Sequence, residues 1–307
     1  MLLVTYYTQN IIVKKTRINL NNLIKRLNMT KQLLTLTLLI TTLFSWNSYS
    51  AEAKFNKEND LLLLNFDLKT DVDDAHTIAA LDLILQSNEF KNINYYAISG
   101  TYGIQAGLYV PADELFNIVF KQKWTDAHQY RQTSINKTVK KINQTLTAGG
   151  RIWIAEAGQS DFTQELIEAF TEYGIKYTKD QILVVQHATW NEKETSVDGL
   201  AFVKAHTTYI KIEDGNKENN GTPGFNNKDY SVKDLENKNL ISSAAWTEAN
   251  RVSTKYNGVN GRYNNQAIAD GGADFSDLVE ITYILGITDV ETVAKFFTKF
   301  NKTRSTN

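Results

Sequence analysis

The densest chemistry in this chain lies in Asn65-Phe66-Asp67-Leu68-Lys69-Thr70-Asp71-Val72-Asp73-Asp74-Ala75, where four carboxylates fall within eight residues. Left bare, Asp67, Asp71, Asp73 and Asp74 would repel one another, and a helix N-terminus offsets each acid by only ~0.3–1 kcal/mol. A hard divalent cation that takes about six to eight oxygens neutralises such a group well. For any single aspartate the competing reading is an ordinary solvated acid at a helix start. The chain has no cysteine and only four histidines against 34 acidic residues. An ion held here therefore has oxygen ligands, which favour calcium, magnesium or manganese.

A second group of reactive side chains follows another apolar run, in Gln186-His187-Ala188-Thr189-Trp190-Asn191-Glu192. His187 is the candidate leaving-group acid or substrate contact, against the alternative of a hydrogen-bonded structural histidine. Trp190 offers a stacking surface, although a tryptophan is more often core, and Asn191 can bond sugar hydroxyls. Glu156 ends an apolar run, and Asp161 stands near the start of the helix that follows it. Both are candidate substrate contacts. His76, inside the first helix, is expected to be structural.

These residues need elements to hold them. Leu61 to Phe66, Ile93 to Ser99, Arg151 to Ala155 and Ile182 to Gln186 read as buried parallel strands. Asp73 to Leu85 reads as a helix with Ala75, Ile78, Leu81, Ile84 and Leu85 on one face. Another helix is expected near Pro111, with the proline in its first turn, and another over Asp161 to Tyr173. Residues 211–240, rich in Asn, Gly and Lys, read as a surface excursion, and the chain beyond about 243 as mainly helical. Alternating strands and helices predict an α/β fold with a mainly parallel sheet flanked by helices and a helical C-terminal part. In such sheets ligands bind beyond the carboxyl ends of the strands, where the candidate residues fall.

The acidic segment resembles that of the nucleoside hydrolases, whose Asp-rich loop after the first strand is written DxDxxxDD, with a variant DxDxxxDxDDA. Here the variant reads NFDLKTDVDDA, with Asn65 in place of the first aspartate. The resemblance spans roughly residues 61–290 and is specific at this one motif. Ala157-Gly158-Gln159-Ser160-Asp161-Phe162-Thr163 stands where the family has its GPLTN loop. Ser276-Asp277-Leu278-Val279-Glu280 stands where the family has a His-Asp pair opening a helix. It implies a Rossmann-like core, a calcium ion held by Asp67, Asp71 or Asp73, Asp74 and Asp277, and Asp67 as the base that activates water. Asp274 and Asp270 are alternatives to Asp277. Ser276 replaces the family's histidine, so protonation of the leaving group needs another source. The activity implied is hydrolysis of the N-glycosidic bond of a ribonucleoside or related riboside, by a protein that can form homo-oligomers as its relatives do.

A net charge of −1 gives no attraction to nucleic acid or anionic membrane. From Met29 the chain reads as a signal peptide to Ala53: a lysine, an apolar run from Leu33 to Phe44, then Ala51-Glu52-Ala53 as a small-x-small cleavage site. The run is short of the ~20 residues that span a bilayer. Translation is expected to start at Met29, with 1–28 a leader outside the gene product. The product is then periplasmic or secreted, with one domain over 54–300 and a tail over 301–307. Three other readings compete: a calcium-dependent binding protein without catalysis, a structural calcium site beside an unrelated active site, and a haloacid-dehalogenase-like phosphatase. The last needs an aspartate where Lys69 stands.

Overall fold

The computed structural model describes residues 53–237 and 240–300. The chain divides into units Met1–Ala53 and Lys54–Asn307, and the second is the one described below. The expected leader, signal peptide and C-terminal tail lie outside the described residues.

In chain order the elements are β1 (Leu61–Phe66), α1 (Asp73–Gln86), β2 (Asn94–Ser99), α2 (Asp113–Phe120), β3 (Trp124–Asp126), α3 (Arg131–Thr147), β4 (Ile152–Ala157) and α4 (Asp161–Glu172). Then follow β5 (Ile182–His187), α5 (Thr189–Glu194), α6 (Val197–His206), β6 (Thr208–Ile212), β7 (Asn226–Asn227) and α7 (Ser243–Tyr256). The last are α8 (Gln266–Ala269), β8 (Ala273–Asp274), α9 (Leu278–Leu285) and α10 (Val293–Phe300). Strands β1 to β6 form a parallel six-stranded sheet of order β3-β2-β1-β4-β5-β6, and β7 pairs antiparallel with β8. The order reverses between β1 and β4, which is the position where open α/β sheets bind ligands.

Period-two alternation sorts the sheet into two cores. Leu61 and Leu63 of β1, Ile152 and Ile154 of β4, and Ile182 and Val184 of β5 pack under α3, α4 and α6, against Val139, Phe162, Leu166, Phe170 and Val203. On the opposite face Phe66 meets Phe116 and Phe120 of α2 edge-on and stacked. Because both faces are covered, β1, β4 and β5 are buried along their whole length and read as continuous apolar runs rather than alternating ones.

Three local expectations change. Helix α1 is buried from Asp74 to Leu85 all round, not on one face, because α7, α2 and α9 close over the side away from the sheet. Pro111 lies two residues before Asp113, outside the first turn of α2. Residues 213–228 run mainly over the surface but are anchored, because Phe225 is fully buried against Phe275 and Phe296 and Asn226–Asn227 form a strand. Among the described residues no helix is long and apolar enough to cross a membrane.

Candidate active site

A cleft of about 750 Å³ opens at the carboxyl ends of β1, β4 and β5. Its floor comes from the segment after β1, with Asp67, Lys69, Thr70, Asp71 and Asp73 in the lining. Gly158 after β4, and His187, Ala188, Trp190 and Asn191 at the end of β5, form one wall. Asn265, Asp274, Ser276 and Asp277 form the other, and the 214–228 segment supplies Asp214, Asn216, Asn226 and Lys228 at the rim.

The acidic segment is held from several sides. The Val110 N–H donates to the Leu68 carbonyl at 2.8 Å, and Lys69 bridges to Tyr109. Arg262 in turn donates to the Tyr109 carbonyl at 2.6 Å. Leu68 adopts φ +52°, and the Lys69–Thr70 peptide is cis. Asp67 Oδ1 accepts from the Lys69 N–H at 2.8 Å and Oδ2 from Gln159 Nε2 at 2.8 Å. Asp74 sits beneath the floor, where its Oδ2 accepts from the Leu68 N–H at 2.6 Å. Its Oδ1 is buried without a hydrogen-bond partner. Gly158 is required at its place: its φ is +130°, and a Cβ there would lie 2.3 Å from Asp67 Oδ2.

The carboxylates perturb one another. Burial raises Asp67 to about 7, against the pull of its bonds from Lys69 and Gln159. Burial, then the charge of Asp274, raises Asp71 to about 7. Asp73 is pushed well above the usual range by burial and by Asp71, Asp277 and Asp274. Asp74 is pushed up by burial and by Asp277 and Asp67. Asp277 is pushed up by burial and by Glu280, Asp67 and Asp274, with His187 opposing. Asp274, raised by burial to about 6, accepts from Asn265 and Asn226, each at 2.7 Å. This mutual repulsion in a shared site is what a divalent cation relieves.

Among the described residues no three acidic or imidazole side chains stand at ligand spacing about one point. The carboxylates converge on the cleft without closing a shell. The donor set nevertheless fits a hard cation, being all oxygen, with the unpartnered Asp74 Oδ1 under the floor.

At the end of β5, His187 places Nδ1 2.7 Å from Glu280 Oε1 and Nε2 3.9 Å from Asp277 Oδ1. Burial alone would depress this imidazole. The charges of Glu280, Asp277 and Asp214 together outweigh it and bring the group to about 9. Trp190 is 53% exposed in the cleft wall. Asn191 is buried and donates to the His187 carbonyl at 3.2 Å.

The cleft thus collects Asp67, Asp71, Asp73, Asp277, His187, Trp190 and Asn191, with Asp74 below them. Two candidates lie elsewhere. Glu156 faces the α4 side of the sheet, paired in register with Asn65. It accepts from Asn65 Nδ2 at 3.0 Å and from the Thr163 hydroxyl, and burial lifts it to about 8. Period two explains this, since Ile152, Ile154 and Glu156 share one face of β4. Asn65 faces the same side, where it also donates to the Thr163 hydroxyl at 3.2 Å, and does not line the cleft. Asp161 accepts from the Ser196 N–H at 3.3 Å and borders a separate depression with Tyr102, His128 and Arg131. His76 lies behind β8, where its Nδ1 accepts from the Asp274 N–H at 3.4 Å.

Gln159, Asn265, Asn226, Asp214 and Glu280 belong to the site without a sequence signal that marks them. They come from loops and a helix whose approach is fixed only by packing. No protein-family model, curated protein or solved structure matches the chain significantly.

Proposed function

We propose that the protein is a calcium-dependent hydrolase of the N-glycosidic bond of a ribonucleoside or related riboside, akin to the nucleoside hydrolases and acting outside the cytoplasm. The observation that carries this reading is the meeting of Asp67, Asp71, Asp73, Asp277 and His187, from three distant segments, in one cleft at the sheet's switch point. The ion would be held by Asp67, Asp71 or Asp73, Asp74 and Asp277. When bound, calcium supplies Lewis acidity that lowers the pKa of a water and orients sugar hydroxyls.

The chain's own groups do the rest. Asp67, steadied on both oxygens by Lys69 and Gln159, takes the proton of the attacking water as general base. His187, opposite, protonates the departing base as the C–N bond breaks with its electron pair leaving on nitrogen. The exposed face of Trp190 offers a stacking platform at the mouth. The transition state is oxocarbenium-like, as in glycoside hydrolysis.

Calorimetric titration of calcium into the wild type and Asp74→Ala, followed by a panel of inosine, uridine and p-nitrophenyl riboside, tests the reading. Binding lost in the variant, with base or nitrophenol released by the wild type, is expected. Binding without turnover would leave a calcium-dependent binding protein. Absence of calcium binding would remove the proposal.

A further inference from the structure

Glu280 stands out among the buried charged groups that this mechanism does not use. It lies in the first turn of α9 and is completely buried. Its Oε1 accepts from the His187 backbone N–H at 2.9 Å and lies 2.7 Å from His187 Nδ1. Its Oε2 has no hydrogen-bond partner, and Nδ1 has no in-line acceptor, so the side-chain contact is a bent one. A carboxyl group so fully buried needs a polar partner facing it. His187 Nδ1 is the side-chain nitrogen that faces Oε1. Two contacts from one oxygen to the backbone and ring of the same residue fix where the ring sits.

We propose that Glu280 is a positioning residue that anchors His187 through Nδ1, so that Nε2 is presented on the Asp277 side of the cleft as leaving-group acid. The inference rests on the hydrolase reading above and goes beyond it by explaining how the chain works with Ser276 where the related enzymes have histidine. In the step, the Nε2 proton passes to the leaving nitrogen, which keeps the pair of the broken C–N bond. Water oxygen bonds the anomeric carbon and its proton goes to Asp67. Return of a proton from Asp67 to His187 through solvent closes the cycle. The carboxylate–imidazole–substrate order follows the same logic as catalytic triads, in which a buried carboxylate sets tautomer and orientation.

The test compares the nucleoside of the panel that the wild type cleaves fastest with p-nitrophenyl riboside, whose leaving group needs no proton. Glu280→Gln keeps the acceptor for the backbone N–H and removes the charge. Expected is a fall in kcat on the nucleoside of about 10²-fold or more, with at most a few-fold change on p-nitrophenyl riboside. His187→Gln should show the same split, and the double variant little further loss. Equal losses on both substrates, or a split in His187→Gln alone, would overturn the proposal. A wild type that cleaves only p-nitrophenyl riboside has no effective acid, which overturns this inference and leaves riboside hydrolysis standing, without the N-glycosidic specificity. A wild type that cleaves neither overturns both. Should Glu280→Gln fail to fold, imidazole-¹⁵N spectra of the wild type decide: a protonated, downfield Nδ1–H supports the contact and an unprotonated Nδ1 overturns it.

Discussion

At the scale of single residues, each candidate's role follows from what its side chain can reach. Glu156 has a carboxyl lifted from its usual 4.5 to about 8 by burial, with Asn65 and Thr163 as partners. Between those two values the folded chain holds a proton that the unfolded chain has lost. This contribution is therefore full below about pH 4.5 and is lost as pH rises toward 8, at a slope of up to about 1.4 kcal/mol per unit. Glu156→Gln keeps the shape and removes the proton, so denaturant unfolding should be less pH-dependent for the variant between pH 5 and 8. An identical slope in both proteins would show that Glu156 does not titrate there. Gly158 gives a second expectation. Its substitution by alanine would set a Cβ 2.3 Å from Asp67 Oδ2 at a φ of +130°. Strain of about 1–3 kcal/mol is expected, with calcium affinity reduced at least about tenfold if Asp67 shifts. Calorimetry and thermal melts on Gly158→Ala measure both.

At the scale of elements, three parallel strands end at the cleft and each delivers its residues differently. β1 feeds the acidic segment directly into α1, so Asp73 and Asp74 open a helix whose N-terminus adds a modest favourable field. β4 is followed by the glycine, Gly158, that lets Asp67 approach. β5 ends in His187, after which Ala188 adopts φ 62°, ψ 155°, a region almost reserved for glycine. Ala188→Gly should therefore stabilise the fold by about 1 kcal/mol, raising Tm by roughly 2–4 °C. The same change frees the backbone beside His187 and should lower kcat. A variant that melts lower would show that the turn after β5 is held by contacts of the methyl group instead.

At the scale of the whole molecule, the cleft concentrates negative charge that the near-neutral chain as a whole does not show. Asp67 and Asp71 are raised to about 7 and Asp274 to about 6 from an ordinary 3.8. All three favour the folded state most below pH 4, and that support is lost as pH rises toward 7. In a chelator, Tm should fall across this window. Calcium at a hundred times its Kd should restore about 2.7 kcal/mol at pH 8 and much less at pH 4, where protons compete for the same oxygens. Melts at both pH values with calcium or chelator check this, and a calcium effect equal at pH 4 and pH 8 would contradict it.

The sequence by itself determined the sheet's strands and the acidic segment. Runs such as Leu61 to Phe66 and Ile182 to Gln186 read as strands covered on both faces, and four aspartates within eight residues mark the acidic segment. It also placed His187 and Trp190 after a strand, where α/β sheets bind ligands. Only the tertiary structure decided that Glu156 and Asn65 face α4 rather than the cleft, since strand parity is readable but the face that meets α4 is not. It alone brought Asn265 to the cleft and Glu280 behind His187, about 80 to 215 residues from β1 and β5 in sequence. It also folded residues 213–228 into the rim, where the buried ring of Phe225 outweighs the polar composition around it. Local composition reports how a segment meets water, whereas side chains distant in sequence meet through packing, which no short stretch of sequence encodes.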